Sequence, residues 1–212
     1  MDLLGRYGTI LVDPPWVYEF ATRKGPRRND SPGVVPSLMP SGDTHGWGQH
    51  SALTGVQARY DCLTREQLLG LPVDAIAAKD ALLWCWATNK MLPLAFELVV
   101  AWGFDYKTLI TWRKVTVNGK LRTGMGYWAR GATEHVLLAG RGKVRPGINN
   151  LPTVFDAEVQ AHSAKPDWIR DAALRHGPGP YLEMFARKPY EGFEVWGDEV
   201  ETDIWLPVPE VA

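Results

Sequence analysis

Residues 7–16 read Tyr-Gly-Thr-Ile-Leu-Val-Asp-Pro-Pro-Trp, an almost continuously apolar run that ends in an acid and two prolines. A run that is apolar at consecutive positions is typical of a strand covered on both faces in a parallel sheet. The prolines fix φ and lack N–H groups, and Asp13 is held extended because it precedes a proline. We therefore predict a buried strand whose carboxyl end presents Asp13 and Trp16 on a rigid turn.

Further strands and helices alternate along the rest of the chain. The predicted strands are 81–87, 104–112, 133–139, 153–159 and 181–186, and the predicted helices are one that opens at 63–69, one at 91–102 and one at 165–176. Thr64 and Gln67 form a capping box, while Gly103 and Gly177 are placed to end two helices. The alternation predicts an α/β fold with a mostly parallel central sheet and helices on both faces. Ligands of such sheets bind beyond the carboxyl ends of the strands, where Asp13 lies.

The composition is that of an ordinary globular domain. The 212 residues are 45% hydrophobic and 22% charged, which fits one domain spanning 1–212. Two cysteines, Cys62 and Cys85, cannot build a disulfide framework or a cysteine-rich zinc site, so we expect reduced thiols and a cytoplasmic location. The sequence contains no apolar run long enough for a membrane span and no signal-peptide pattern.

Residues 21–57 interrupt the pattern. This segment contains six glycines, four prolines and four serines, and long segments of this kind in compact domains are usually lids or binding loops. We predict a loop that closes over an acceptor site. Four cations stand at its start: Arg23, Lys24, Arg27 and Arg28. Its histidines lack the spacing of metal ligands, so no metal is expected.

The turn at Asp13-Pro14-Pro15-Trp16 has a chemical interpretation. A carboxylate and unpaired proline carbonyl oxygens beside an indole face would receive a flat ring that bears an –NH₂ group, such as adenine. Asp13 would accept one amine proton and a proline carbonyl the other, while Trp16 stacks on the ring. Two acceptors would localise the nitrogen lone pair, and alignment with a methyl donor would supply further acceleration. The alternative is a proline-stiffened turn without a catalytic role.

Additional sequence blocks extend the pattern over nearly the full chain. They are Tyr60, Leu63-Thr64, Leu71-Pro72-Val73, Leu83-Trp84, Trp102-Gly103-Phe104, Trp112-Arg113-Lys114, Gly124-Met125-Gly126-Tyr127-Trp128, Glu134-His135-Val136-Leu137, His162-Ser163-Ala164-Lys165-Pro166-Asp167, Glu183-Met184-Phe185-Ala186-Arg187 and Trp196-Gly197. With the Asp-Pro-Pro-Trp turn, these blocks resemble, in order, the MT-A70-type adenine-N6 methyltransferases, which use S-adenosylmethionine. The resemblance implies a Rossmann-like methyltransferase fold with a permuted motif order, which agrees with the absence of a G-x-G-x-x-G loop after the first strand.

The resemblance also assigns roles to single residues. It makes Asp13, Pro14, Pro15 and Trp16 the catalytic turn. The residues that it implies for the cofactor are Asp13, Lys165, Arg187, Asp198 and Glu199. It places Tyr60 and Glu134 on the acceptor side, although Glu134 is also open to interpretation as a structural partner of Arg130.

The net charge of −1 hides an uneven distribution of charge. Residues 107–145 hold nine cations and one acid, a local excess of +8, whereas residues 190–212 hold seven acids and no Lys or Arg. With the cluster at 23–28, this basic stretch predicts a phosphate track beside the turn, including Lys114, Arg122 and Arg130. Trp112, Tyr127 and Trp128 lie within the stretch, and either stacking on unpaired bases or packing in the core accounts for them.

These observations lead to three hypotheses of function. The favoured one is adenine-N6 methylation of DNA, on a base that is single-stranded or flipped out of the duplex, because the amine is unreachable in the stack. The second keeps the chemistry with RNA as the acceptor. The third is a catalytically silent subunit that binds nucleic acid. The sequence does not give the oligomeric state, although a Trp-rich surface favours a homodimer.

Overall fold

The computed structural model describes residues 3–17, 62–125, 128–160 and 164–210. The helices and strands given below belong to a compact unit formed by residues 1–16 and 63–212. The predicted lid at 21–57, with its cations Arg23, Lys24, Arg27 and Arg28, lies outside the described residues, as does Tyr60.

Seven strands form one sheet in the described part of the chain. They are β1 (Tyr7–Val12), β2 (Ala77–Ala87), β3 (Asp105–Val115), β4 (Thr133–Arg141), β5 (Val154–Glu158), β6 (Tyr181–Met184) and β7 (Phe193–Trp196). Their order across the sheet is β5-β3-β4-β2-β1-β6-β7. Neighbouring strands are parallel except for the two pairs that β4 makes, with β2 and with β3. The predicted α/β fold with a mostly parallel sheet is confirmed.

Four helices accompany the sheet in the described residues: α1 (Arg65–Leu69), α2 (Val73–Ile76), α3 (Leu92–Ala101) and α4 (Trp168–His176). The capping box predicted at α1 is present in both directions, between Thr64 and Gln67. The first turn of the helix predicted at 165–176 is absent, because α4 takes Asp167 as its N-cap. The prediction omitted α2 and β7, which have four residues each and therefore too little periodicity to stand out.

β1 is an interior strand, the fifth of the seven across the sheet. All six residues of β1 are buried, as a strand covered on both faces should be. β1 pairs in parallel with β2 on one side and with β6 on the other. Asp13 therefore leaves the sheet from an interior strand, at the end where the parallel strands terminate.

Tryptophans fill much of the core. Trp84, Trp86 and Trp102 are fully buried, and the Trp102 indole donates a hydrogen bond to the carbonyl of Leu68 at 3.0 Å. Trp112 is only 2% exposed, and its indole donates to the Ala157 carbonyl at 2.9 Å. Trp112 is therefore a core residue and not a base-stacking one, which decides between the two interpretations.

The antiparallel strand β4 determines what lies at each end of the sheet. Its first residues stand beside the last residues of β3, with Glu134 opposite Trp112, and its last residue Arg141 stands opposite Ala81 near the start of β2. We call the end that holds Asp13 and Glu134 the carboxyl edge.

No helix among the described residues is long and apolar enough to cross a membrane.

Candidate active site

The Asp-Pro-Pro-Trp turn is held by backbone hydrogen bonds. The carbonyl of Pro14 accepts from the Trp16 N–H at 2.9 Å, and the carbonyl of Pro15 accepts from the Leu63 N–H at 3.0 Å. The expectation that these carbonyls are unpaired was wrong, because the chain after the turn returns to bond with them. A carbonyl oxygen has two lone pairs, so each can still accept a second proton.

Trp16 is not an open platform in this structure. Its side chain is 5% exposed, and its backbone forms an isolated parallel bridge with Leu63. The indole stabilises the turn from within the fold. The rigidity predicted from the two prolines is therefore reinforced by burial of the residue that follows them.

Four side chains of alternating charge meet at the carboxyl edge. The Nζ of Lys165 lies 2.7 Å from Oδ2 of Asp13 and 3.5 Å from Oε2 of Glu134. The other oxygen of Glu134, Oε1, accepts from Nζ of Lys114 at 2.6 Å. The side chains of Lys165 and Glu134 are only 13% and 15% exposed. We call Lys114, Glu134, Lys165 and Asp13 the charge chain.

The charge chain speaks against a structural pairing of Glu134 with Arg130. Burial by itself would raise the pKa of its carboxyl group, but Lys165 and Lys114 outweigh burial and hold that pKa below its usual value. The ion-pair partners of Glu134 in the described residues are these two lysines and not Arg130. Glu134 is therefore ionised at neutral pH and belongs to the same cluster as Asp13.

Aromatic rings support both lysines of the charge chain. The Nζ of Lys165 lies 5.5 Å from the ring centre of Trp86, and the Nζ of Lys114 lies 5.0 Å from that of Trp112. Each ammonium group thus meets an indole as well as a carboxylate. The two indoles pack edge to face, with centroids 6.2 Å apart.

A second ion pair lies within the fold next to Asp13, and sequence reasoning gave it no role. Arg170 of α4 donates through Nε and Nη2 to both carboxylate oxygens of Glu183 on β6, and through Nη1 to Asp167 at 2.9 Å. Arg170 and Glu183 are buried, and the charge of Asp13 acts on the pKa of each of them. The sequence does contain a signal for this ion pair, because each of its residues is a charged residue in an apolar pattern. Glu183 lies in the last predicted strand, and Arg170 lies beside the apolar face of α4.

The predicted cofactor residues Arg187, Asp198 and Glu199 follow the carboxyl ends of β6 and β7. The Arg187 guanidinium approaches Glu199 at 3.6 Å, and both side chains are partly exposed. The Ala186 N–H donates to the Trp196 carbonyl at 3.0 Å, so the loops after the two strands are joined. A Cβ on Gly197 would collide with the Ala186 carbonyl, which explains a glycine after Trp196.

The basic stretch does not form one track. Because β4 runs antiparallel to β3, the cations of residues 107–145 are divided between the two ends of the sheet. At the carboxyl edge are Arg113, Lys114, Lys120, Arg122 and Arg130, whereas Lys107, Arg141, Lys143 and Arg145 lie at or towards the opposite end. The prediction of a single track over 107–145 was therefore wrong, although the three cations singled out there, Lys114, Arg122 and Arg130, lie at the carboxyl edge.

The connection between β3 and β4 leaves the sheet at the carboxyl edge. Backbone hydrogen bonds from Arg122 N–H to the Lys114 carbonyl at 2.9 Å and from Gly124 N–H to the Gly131 carbonyl at 2.6 Å anchor it. It presents Trp128, whose side chain is 94% exposed, so the structure separates Trp128 from the buried Trp112. Tyr127 lies outside the described residues.

The residues at the carboxyl edge fit S-adenosylmethionine. Its methionyl end carries an ammonium and a carboxylate group, and the edge offers a carboxylate and an ammonium side by side in Asp13 and Lys165. Its ribose presents two hydroxyls, and the loops after β6 and β7 offer acceptors in Asp198 and Glu199 and donors in Arg187. No group of three or more metal-ligating side chains occurs in the described ranges.

The fold and the site define an S-adenosylmethionine-dependent methyltransferase of the Rossmann-like class. The chain belongs to the MT-A70 family, whose model matches residues 7–199. Three relatives illustrate the range of proteins to which it is similar.

The type II methyltransferase M.MunI of a Mycoplasma species is 27% identical over 199 residues, which are 92% of this chain and 78% of M.MunI. A probable N(6)-adenosine-methyltransferase MT-A70-like protein of Oryza sativa subsp. japonica is 27% identical over 88% of this chain and 22% of its own length. The N6-methyladenosine RNA methyltransferase MTA1 of Cryphonectria parasitica is 29% identical over 92% and 52%. The chain therefore spans most of the Mycoplasma relative, about half of the fungal one and about a fifth of the plant one.

Proposed function

We propose that this chain transfers a methyl group from S-adenosylmethionine to the N6 amine of adenine in DNA. The single observation that carries the proposal is the contact between Asp13, on the proline-stiffened turn, and Lys165, at the end of the sheet where ligands of this fold bind. The contact brings the two most specific motifs of the chain into one site. Membership of the MT-A70 family supplies the reaction class.

The turn is suited to holding an amine. A carboxylate has about four lone-pair positions, so Asp13 can accept from Lys165 and from the adenine amine at the same time. The Pro14 or Pro15 carbonyl accepts the second amine proton with the lone pair that its backbone hydrogen bond leaves. With both protons held, the nitrogen lone pair is directed away from the ring system and becomes nucleophilic.

The remaining residues orient the bound reactants and balance their charges. Bound S-adenosylmethionine would supply an electrophilic methyl group, with its sulfur as the leaving group that keeps the electron pair. Lys165 would hold a carboxylate and Arg187, Asp198 and Glu199 the ribose end. The attacking nitrogen gains the methyl carbon and then loses one proton, which Asp13 passes to water. Positioning of this kind accounts for a large part of the acceleration in transfers between two bound reactants.

Two features of the carboxyl edge support a nucleic acid as the acceptor. Arg122 and Arg130 stand on the connection between β3 and β4, where no acid occurs between residues 116 and 133. The same connection carries the exposed Trp128, and an exposed indole between cations is what single-stranded nucleic acids stack on. The base must be unstacked to reach Asp13, so a flipped or single-stranded adenine is part of the proposal.

DNA is favoured over RNA by the similarity to M.MunI, a type II methyltransferase of which this chain spans 78%. The same proposal includes one domain over 1–212, with residues 21–57 as a lid that brings Tyr60 and the cations Arg23, Lys24, Arg27 and Arg28 to the acceptor. It also includes action in the cytoplasm of a bacterial or phage-infected cell. None of these features is needed for the chemistry at Asp13.

A methyl-transfer assay with a panel of acceptors tests the proposal. The full chain with radiolabelled S-adenosylmethionine is given double-stranded DNA, single-stranded DNA and RNA of the same sequence, each with and without adenine. We expect transfer to adenine-containing DNA and none to the adenine-free controls. Transfer to neither form of DNA would overturn the proposal.

RNA is the second candidate acceptor, favoured by the name of the fungal relative, an N6-methyladenosine RNA methyltransferase. The panel separates the two because transfer to RNA alone would select it. A silent binding subunit is the third candidate. The contact between Asp13 and Lys165 argues against it, since a chain without catalysis does not require both groups to meet.

A further inference from the structure

Lys114 was expected to contact a phosphate, but its ammonium group points elsewhere. Its Nζ lies 2.6 Å from Oε1 of Glu134, and its side chain is only 22% exposed. A lysine that binds a phosphate of the acceptor would be exposed to solvent and distant from an acid. Lys120, on the connection between β3 and β4, is exposed in this way. The charge of Lys114 is therefore directed into the charge chain.

The position of Lys114 is fixed on several sides. Its N–H donates to the Ala132 carbonyl and its carbonyl accepts from the Arg122 N–H, both at 2.9 Å. Its ammonium group rests over the ring of Trp112, which is itself held by the Ala157 carbonyl. Lys114 therefore holds Glu134 from a part of the molecule that is anchored in the core.

Glu134 in turn faces a shared lysine. One of its oxygens accepts from Lys114, and the other lies 3.5 Å from Nζ of Lys165, which is closer to Asp13, at 2.7 Å. Lys165 thus has two carboxylates to choose between. Because Lys114 already compensates the charge of Glu134, Asp13 is the stronger partner for Lys165.

We propose that Lys114 is a positioning residue, which keeps Lys165 on Asp13 by holding and neutralising Glu134. Without Lys114, Glu134 would have Lys165 as its nearest cation and would draw it away from Asp13. The inference rests on the proposed function for its catalytic consequence but not for its structural one. It replaces the phosphate contact expected from the sequence.

The proposal makes a statement about pH. The charged or titratable groups that face Glu134 are Lys114 from β3, Lys165 from the segment before α4, and His135 beside it on β4, with Asp13 beyond Lys165. The two lysines together hold the pKa of Glu134 below its usual value. Removal of Lys114 raises the pKa of Glu134, so protonation of Glu134 begins at a higher pH as the solution is acidified.

Kinetics of the full chain test the catalytic consequence with Lys114→Met, Lys114→Arg and the matched control Lys107→Met. We expect Lys114→Met to lower kcat about 10- to 100-fold, the range for a small misplacement of a catalytic group, with the KM for nucleic acid changed less than about twofold. The deficit of Lys114→Met in kcat should shrink as the pH falls and Glu134 is protonated, because a neutral Glu134 no longer draws Lys165 away from Asp13. Lys114→Arg should restore most of kcat. Lys107→Met should leave kcat unchanged, because Lys107 is an exposed lysine of the same strand at the opposite end of the sheet. A raised KM at unchanged kcat in Lys114→Met would overturn the proposal in favour of a phosphate contact.

A double-mutant cycle shows whether Lys114 acts through Glu134. In a Glu134→Gln background the further loss from Lys114→Met should be less than about twofold, because residues that act in series are not additive. An equal further loss in that background would overturn the proposal. Melting temperatures of all variants identify any loss that comes from unfolding.

Carboxyl carbon NMR titration of the ligand-free protein tests the structural consequence without any activity. Glu134→Gln assigns the Glu134 resonance, and Lys114→Met should shift its titration midpoint upward while Lys114→Arg leaves it in place. An unchanged midpoint in Lys114→Met would contradict the proposal even in a chain that methylates DNA. An upward shift in a chain without methyl transfer would instead contradict only the proposed function.

Discussion

The Nζ of Lys165 lies 2.7 Å from Oδ2 of Asp13, although 152 positions separate the two residues in the sequence. Asp13 follows the interior strand β1, and Lys165 precedes α4, so the contact ties the turn to the segment between β5 and the helix. Lys165 is held by a second acid, Glu134, and by the ring of Trp86. Lys165 is therefore largely buried and in contact with two carboxylates and an indole. This cluster of charges marks the functional part of the carboxyl edge.

Asp13→Asn should lower methyl transfer by about 100- to 1,000-fold, the usual effect of losing one preorganised polar contact to the reacting group. The amide keeps the shape of the turn but removes the anion that accepts from the adenine amine and pairs with Lys165. The measurement is the initial rate at saturating S-adenosylmethionine and DNA. Asp156→Asn is the matched control, because Asp156 is an exposed carboxylate in an ion pair with Arg113 at the same edge. Equal losses in both variants would remove Asp13 from the mechanism.

Trp128→Ala should weaken binding of single-stranded DNA about 5- to 150-fold, which corresponds to about 1–3 kcal/mol for one stacked base. Trp128→Phe should keep most of the affinity because a ring remains. Fluorescence anisotropy of a labelled oligonucleotide at constant salt gives the Kd. Trp205→Ala is the control, since Trp205 is also a largely exposed tryptophan but lies on the acidic C-terminal part of the chain. If Trp128→Ala binds as well as the unchanged chain, Trp128 does not contact the strand.

Arg170→Met should destabilise the fold by about 3–5 kcal/mol at pH 8, because it leaves Glu183 buried without its partner. Burial already raises the pKa of Glu183, and without Arg170 that pKa rises further. An acid with a raised pKa in the folded state destabilises the fold at pH values above that pKa, so the deficit should shrink as the pH falls towards 5. Denaturant unfolding at several pH values measures it.

The pair offers its own control for that prediction. Arg170→Met combined with Glu183→Gln should recover part of the stability, since no uncompensated charge is then buried. Arg113→Met, which breaks an exposed ion pair, should change stability far less. A deficit in Arg170→Met that is the same at pH 5 and pH 8 would show that packing and not charge is responsible.

Gly197→Ala should weaken binding of S-adenosylmethionine about tenfold and lower the melting temperature. The new Cβ would collide with the Ala186 backbone, and overpacking of this kind costs about 1–3 kcal/mol. The strain would fall on the loop that carries Arg187, next to Phe185, whose φ of 60° already lies in the left-handed region. Calorimetric titration gives the affinity. Gly131→Ala is the control, because its Cβ would meet the nearest atom at an ordinary 3.6 Å; an affinity loss as large in Gly131→Ala would contradict the assignment.

The sequence predicted the parts of the fold that depend on local pattern. An apolar run places β1 inside the sheet, and the capping box at Thr64 and Gln67 sets the start of α1, because both are determined by neighbouring residues. The short strand β7 was missed because four residues carry too little periodicity. The prediction that Asp13 and Lys165 belong to one site came from the order of the sequence motifs that resemble the MT-A70 family, and not from geometry.

What the sequence could not supply was the direction of each strand and the depth of each side chain. The basic stretch over 107–145 looked continuous, yet the antiparallel β4 sends its ends to opposite edges of the sheet. Trp112 and Trp128 looked alike, but the first is buried and the second is exposed. Lys114 was expected to contact a phosphate, but in the structure it forms an ion pair with Glu134. Each of these facts depends on contacts between residues far apart in the chain.

Mapping of N6-methyladenine in DNA from cells that express this chain tests the central claim most directly. Cells that express the unchanged chain and cells that express Asp13→Asn at the same level are compared by nucleoside mass spectrometry, and the modified positions are then read by sequencing. We predict N6-methyladenine in DNA from the first culture and its loss from the second. Equal amounts of N6-methyladenine with both chains, or none above the host background with the unchanged chain, would contradict the proposal that Asp13 and its turn methylate adenine in DNA.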